Sequence, residues 1–414
     1  MYFYKIQNEI AFSLCDYPEL QKVTEDHAKA ICNKIFYLTK MEVGRSRRSF
    51  CISDESLLYL EKEGLDLLRA KHREDKSIPD WILSKIKSRK VISINTSYST
   101  WEQVFSQSYP SAWRINLVGL GDVGGMLLTG LRLLSGNHVS TIGIYSRSQE
   151  TVKRWEYECN QIMAAFEADS YPIVKGISKH QIFDCDMFVF CASQQVPPVG
   201  SSVKDVRMVQ LESNSRIISE YAKLAREKNF KGIFAVVSDP VDLLCKVAFI
   251  DSNKNNNGII DYKGLVPEQI RGYGLGVMNA RANYYASLSP ETNHYKNEGR
   301  AFGPHGNGLV IANSINNYND TLSLQLTQQA ITANLEIRKA GYKPFIAPAL
   351  SSGALSILST IKGEWHYSST FMGGVYMGAK NRLSPSGTEI ERLVLSDSLY
   401  KRLVKSYEGL AKII

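Results

Sequence analysis

The sequence predicts an α/β fold: a doubly wound parallel sheet, a second α+β unit after it, and an extension before it. Two observations carry this. From residue 112 onward, short apolar runs alternate with helical stripes, the pattern of a parallel sheet covered on both faces. One such run, Ile115, Asn116, Leu117 and Val118, enters Gly119, Gly121 and Gly124 in G-x-G-x-x-G spacing and leaves through the apolar stretch 126–134. Strand, glycine turn and helix in that order are the context in which this spacing reads as a dinucleotide-binding Rossmann unit.

Each glycine serves a physical purpose there, in turn a tight turn, close approach of a pyrophosphate, and close helix–strand packing. The amides of Asp122 and Val123 open the following helix, whose N-terminus favours the diphosphate. The next predicted strand, 140–145, ends at Ser146, Arg147 and Ser148. NAD-binding units carry an acidic residue near this point to hold the ribose hydroxyls. Here an arginine between two serines suits a 2′-phosphate instead, so NADP is expected over NAD, with NAD still possible. Ala192, at the end of the predicted strand 186–192, completes the expected cofactor contacts.

Composition sets the bounds. The 414 residues are 44% apolar and 22% charged, with a net charge of +8 spread over both signs, which suits a globular protein with anionic ligands and gives no reason to expect nucleic acid. Seven cysteines (Cys15, Cys32, Cys51, Cys159, Cys185, Cys191, Cys245) never fall in C-x-x-C spacing, so neither a disulfide framework nor a metal site is expected. The first residues lack a signal-peptide layout and no apolar run is long enough for a bilayer; cytoplasm is the expected compartment.

The chain divides on this reading into residues 1–111, 112–272 and 273–414. In the extension, Ser53 and Asp54 are expected to cap a helix whose apolar face is Leu57, Leu60, Leu65 and Leu68. The run from Lys71 to Lys76 reads as a solvated helix end, and Val91 to Ile94 as a strand. The extension is too apolar for a disordered tail, and its role is not legible. Beyond it, Ile217, Ile218, Tyr221, Leu224 and Ala225 form a helical stripe, and 233–238 a buried strand ending at Asp239 and Pro240. A last helix is expected to pack through Leu399, Leu403, Leu410 and Ile414.

Four positions carry chemistry: Arg207; Asp239, in Ser238-Asp239-Pro240-Val241-Asp242; Arg281, in the segment 272–281; and His305, in Gly303-Pro304-His305-Gly306. In order and spacing they resemble the lactate/malate dehydrogenase family over residues 112–414. The resemblance implies that Arg207 closes over the substrate and polarises its carbonyl. It implies that Arg281 grips the substrate carboxylate as a bidentate fork, and that His305 is the acid/base beside the nicotinamide. It also implies a dimer or tetramer acting on a small carboxylate.

The departures are as informative. The family's aspartate that orients the histidine is Met278 here, a poor acceptor; in serine proteases, spoiling that carboxylate costs about 10⁴-fold in turnover. The family's asparagine before proline is Asp239, which is placed either to accept from His305 or to take a proton from a substrate amine. Lys343 stands near where the family lines its pocket with a small or hydroxylated side chain, and the substrate loop from Gln194 to Arg207 is longer than the family's. Three readings follow: an NADP-dependent reductase of a 2-oxoacid-type carbonyl; a reductase of an imine or a larger, peptide-borne group; and an NADP-binding regulatory protein without catalysis.

Overall fold

The computed structural model describes residues 1–31, 33–70, 78–166, 171–194 and 206–414, with backbone alone at 206–209. Cys32, the charged run from Lys71 to Lys76 and most of the long substrate loop lie outside the described residues.

The N-terminal unit contains β1 (Tyr2–Ile6), β2 (Glu9–Ser13), β3 (Gln21–Val23), α1 (Glu25–Ile31), β4 (Ile35–Thr39), β5 (Ser49–Cys51), α2 (Asp80–Lys87) and β6 (Val91–Asn95). The strands form one sheet in the order β3-β1-β2-β4-β6-β5, parallel where β4 meets β2 and β6. The expected helix through Leu57, Leu60, Leu65 and Leu68 is not formed. Two 3₁₀ turns, Glu55–Tyr59 and Leu65–Leu68, take its place, with Asp54 capping the first through the Ser56 amide. Between them Gly64 adopts φ +156° and the Glu63 carboxylate is buried against Arg47. That buried ion pair pulls the chain off the helical path.

The second sheet has nine strands. β7 (Trp113–Val118), α3 (Asp122–Leu134), β8 (Val139–Tyr145), α4 (Gln149–Asn160), β9 (Ile173–Gly176), β10 (Met187–Phe190), α5 (Val206–Glu227), β11 (Ile233–Val236), α6 (Val241–Ser252) and β12 (Ile270–Gly272) make its parallel part. After α7 (Leu275–Ser287), α8 (Tyr295–Glu298), the ribbon β13 (Arg300–Phe302) and β14 (Val310–Ala312), α9 (Asp320–Lys339) and α10 (Ser356–Ile361), the chain returns to that sheet. It does so as β15 (His366–Met372), β16 (Val375–Ser384) and β17 (Gly387–Ile390), before α11 (Asp397–Ala411) closes the chain. The order β17-β16-β15-β12-β11-β10-β7-β8-β9 makes one continuous sheet across residue 272. Its central strands are buried on both faces, hence their unbroken apolar runs. On α11, Leu399, Leu403 and Leu410 are buried as expected, but the helix ends at Ala411 and Ile414 is exposed.

The two sheets share a core. Phe12, Ile35, Leu57 and Leu68 pack in one cluster with Met372, Met377, Ile390, Leu399 and Leu403. Arginines finish the seam. Arg48 pairs with Glu268 at 3.4 Å and Arg89 with Glu389 at 2.9 Å. Arg392 donates to the carbonyls of Asp66, Leu67 and Arg69. Edge strand β5 lies beside edge strand β17, where a side chain on Gly387 would stand 3.5 Å from Phe50 Cα.

Arg47 and Glu63 are 2% and 0% exposed in their side chains, so removing one charge strands the other. Glu63→Gln is expected to cost about 3–5 kcal/mol in urea unfolding, and joint replacement by Met and Leu far less; equal losses for both would mean the pair does not act as a unit.

Candidate functional site

The crevice begins at the turn after β7. Gly119 has φ +92°, and a Cβ there would lie 2.3 Å from the Ala192 nitrogen. A Cβ on Gly124 would lie 1.8 Å from the Gly119 carbonyl oxygen. Both glycines are therefore required by the approach of α3 to the strand ends. Gly121 differs: a Cβ there meets nothing within 4 Å, leaving open space over the first amides of α3. An open helix N-terminus of this kind favours anions.

At the end of β8, Arg147 is exposed. Ser148 is engaged elsewhere. Its hydroxyl caps α4 by accepting the Thr151 amide at 3.1 Å and donates to Glu150. Ser146 Oγ in turn accepts the Ser148 amide at 3.3 Å. Of this trio, Arg147 is the side chain presented to solvent. Asp122 pairs with Lys343 at 3.0 Å, an exposed bridge between α3 and the segment after α9. Ala192 lends its carbonyl to Ser238 Oγ at 2.8 Å, which ties the ends of β10 and β11 together.

Opposite the turn, His305 Nδ1 lies 2.8 Å from Asp239 Oδ1. The carboxylate that meets the histidine thus follows β11, across a cis peptide to Pro240. Met278, at the position of the missing aspartate, is buried in the core with Leu275, Val277 and Ala282. The neighbouring Asn279 accepts from the Tyr295 hydroxyl, away from the histidine. Arg281, one turn further along α7, donates to Met278 Sδ at 3.6 Å and to the Ala330 carbonyl at 3.4 Å. Burial lowers its pKa and nearby Asp239 counters that; neither acceptor carries a charge, so the guanidinium is held without being neutralised by direct contact. Arg207 lies in the first turn of α5, and its side chain is outside the described residues.

Asp239 and His305 line a cleft of about 180 Å³ that also takes in Val123, Cys191, Gln210, Asn214, Tyr273 and Ser352; Arg281 is not among the residues that line it. Several of these had no signal in the sequence. Asn214 donates to the Asp239 carbonyl at 2.7 Å and accepts the Gln194 amide at 3.0 Å, which anchors one base of the substrate loop. Ser352 bridges the Gly274 carbonyl and the Val277 amide, at 2.7 and 2.8 Å, fixing the start of α7. Asp242 accepts the His305 amide at 3.2 Å. Such partners are far apart in the chain, and no local pattern marks them. Burial pushes the Cys191 thiol up to about 12, away from the thiolate form that would make it reactive. Among the described residues no group of His, Cys, Asp or Glu could hold a metal ion.

No family model matches the chain. It is 27% identical over 115 residues to the L-lactate dehydrogenase of Oceanobacillus iheyensis, a match that spans 27% of this chain and 31% of that relative. Among solved structures, the minor L-lactate dehydrogenase of Enterococcus mundtii aligns at TM-score 0.59 and 17% identity, covering 73% of this chain and 98% of that one. The malate dehydrogenase of Archaeoglobus fulgidus, in complex with NADH, aligns at 0.57 and 19%, covering 72% and 97%. The fold is that of lactate and malate dehydrogenases, carried over about three quarters of the chain, as the sequence resemblance implies.

The Asp242 carboxyl is enclosed, and burial pushes it up to about 6 against the pull of the His305 amide. The native state therefore keeps a proton that the unfolded chain has released, and stability falls as pH rises from about 4 to about 6. Asp242→Asn retains an acceptor for that amide. It is expected to be more stable than the parent above pH 6 by roughly 1–3 kcal/mol, with the difference gone by about pH 4. Urea unfolding at several pH values checks this; equal stability at pH 7 would contradict it.

Proposed function

We propose that the chain is an NADP-dependent oxidoreductase, transferring hydride between NADPH and the carbonyl of a small 2-oxoacid or 2-hydroxyacid. The observation that carries this reading is the Asp239–His305 contact at 2.8 Å, in the cleft that reaches Val123 on α3. The dinucleotide, when bound, supplies or accepts the hydride. The remaining chemistry belongs to the chain. Asp239, as a carboxylate, takes the Nδ1–H of His305 and so fixes the tautomer, leaving Nε2 to give or take the substrate proton. It replaces from β11 the partner that Met278 cannot provide. Arg281 offers a half-buried fork for the substrate carboxylate, and Arg207 is assigned the carbonyl by the resemblance. Gly119, Gly121, Gly124 and the amides of Asp122 and Val123 hold the diphosphate, with Ala192 at the adjacent strand end. Arg147 takes the 2′-phosphate. NAD is the weaker cofactor on this reading.

A second reading rests on Asp239 itself, whose side chain is 46% exposed. A carboxylate open to the substrate suits an amine or imine, including a larger peptide-borne one. Turnover that needs an amino donor together with the oxoacid would select it over the first.

The proposal extends to assembly and place. Leu133 and Leu134 on α3, Leu355 beside it, Leu288 just after α7 and Leu324 on α9 are exposed at 46%, 48%, 48%, 65% and 50%. Such an apolar surface fits a homo-oligomer, a dimer or tetramer. Six described cysteines are free thiols, as a cytoplasmic protein would have. Among the described residues no helix is long and apolar enough to cross a membrane.

Cofactor fluorescence and steady-state kinetics test the core of the proposal. NADPH is expected to bind more tightly than NADH, and Arg147→Asp to weaken NADPH about tenfold or more. His305→Ala and Asp239→Ala are expected to lower kcat about 10²–10⁴-fold with NADPH binding retained. Equal affinity for the two nucleotides removes Arg147 from the site; full activity in both alanine variants removes the acid/base pair. Sedimentation should show more than a monomer, and Leu133→Glu with Leu355→Glu should dissociate it; a monomeric parent chain sinks the assembly.

A further inference from the structure

The cleft described above is not the largest cavity. A second one of about 430 Å³ opens on the seam between the N-terminal unit and the β16–β17 hairpin, and shares no lining residue with the first. Its size falls in the range of small-molecule sites, but its walls are not apolar. Lys87 and Arg89, at the end of α2, face Lys362, just after α10, and Arg382 on β16.

One carboxylate pairs with two of these four cations. Glu389, 2% exposed, lies 2.9 Å from Arg89 Nε and 2.7 Å from an Arg382 terminal nitrogen, so each oxygen is already engaged. Trp365 stacks on the Arg382 guanidinium at 4.7 Å and holds it in place. Lys87 and Lys362 have no carboxylate partner among the described residues, and both are exposed. The nearby Glu364 carboxylate accepts from Ser359.

Helix-end capping explains the two lysines in part, since cations favour the carbonyl ends of helices. It does not explain Arg89. That residue has φ +58°, at a helix C-terminal position where glycine is the unstrained choice. Arg89 is fixed there by its pair with Glu389 and lines the same cleft as the other three cations. Left empty, such a cluster repels itself; an anion relieves it.

We propose that this cleft binds a small, multiply charged anion of the phosphate-ester class. The N-terminal unit supplies Lys87 and Arg89, and the hairpin side supplies Lys362 and Arg382, so the site exists only in a chain that carries the extension. Recognition rests on charge-assisted hydrogen bonds from two guanidiniums and two ammoniums. Binding there does not depend on the dinucleotide reading.

Inorganic pyrophosphate is the probe, titrated calorimetrically into the full chain and followed by lysine acetylation footprinting. Lys87 and Lys362 should become protected at saturation. The double variant Lys87→Glu/Lys362→Glu should bind at least about tenfold more weakly, and Lys87→Met/Lys362→Met should fall between. Both lysines are exposed, so the variants should unfold at the parent's urea midpoint. Pyrophosphate that protects Lys343 alone has gone to the glycine turn and overturns the proposal, as does undiminished affinity in the double variant or no binding by the parent.

Discussion

Everything in the crevice depends on how closely the backbone of the turn after β7 approaches its neighbours. With Gly119 against the Ala192 nitrogen and Gly124 against the Gly119 carbonyl, no side chain fits between α3 and the ends of β7 and β10. That contact sets the helix at the angle which presents its amides, and the open space above Gly121 is its counterpart. Helix and strand must touch at two glycines so that the third can leave room. The Asp239–His305 contact inherits this geometry, because β10, β11 and β12 are held in register with β7 and carry Ala192, Asp239 and the start of α7.

Replacing a catalytic partner by relocation is physically undemanding in such a crevice. Several strands end at the same edge, so a carboxylate can reach an imidazole from more than one of them. Here Asp239 arrives from β11 while the position on α7 has become an apolar core residue. On the proposed reading the cost falls elsewhere: a carboxylate stands where the resemblance implies an asparagine amide. That exchange is why the substrate's electrophile is the least constrained part of the reading.

What the sequence made legible follows from where steric and local rules dominate. The glycine turn was readable because only one residue type satisfies it. The buried strands were readable because burial on both faces leaves no alternation to confuse. Of the two roles the sequence left open to Asp239, one needs a contact with His305, and the structure shows that contact at 2.8 Å. Leu57, Leu60, Leu65 and Leu68 misled because four leucines at those intervals suit a helix as well as two 3₁₀ turns, and the deciding partner, Arg47, precedes them in the chain. Ser148 caps α4 with the hydroxyl that a phosphate ligand would use, and the sequence does not separate the two uses. Lys343 with Asp122, and Asn214 with the Asp239 carbonyl, join distant segments, and only the fold brings them together.

The N-terminal unit is bound to the rest by a shared core and by arginines reaching both ways, which makes the two sheets mutually dependent. Strands β5 and β17 each end their sheet, and each shields the other's open backbone. A shortened chain beginning at residue 112 would bare β17 together with Met377, Ile390 and Leu403, a sticky, strand-edged surface of the kind that recruits other chains. The first hundred residues cover surface that the remainder cannot cover for itself.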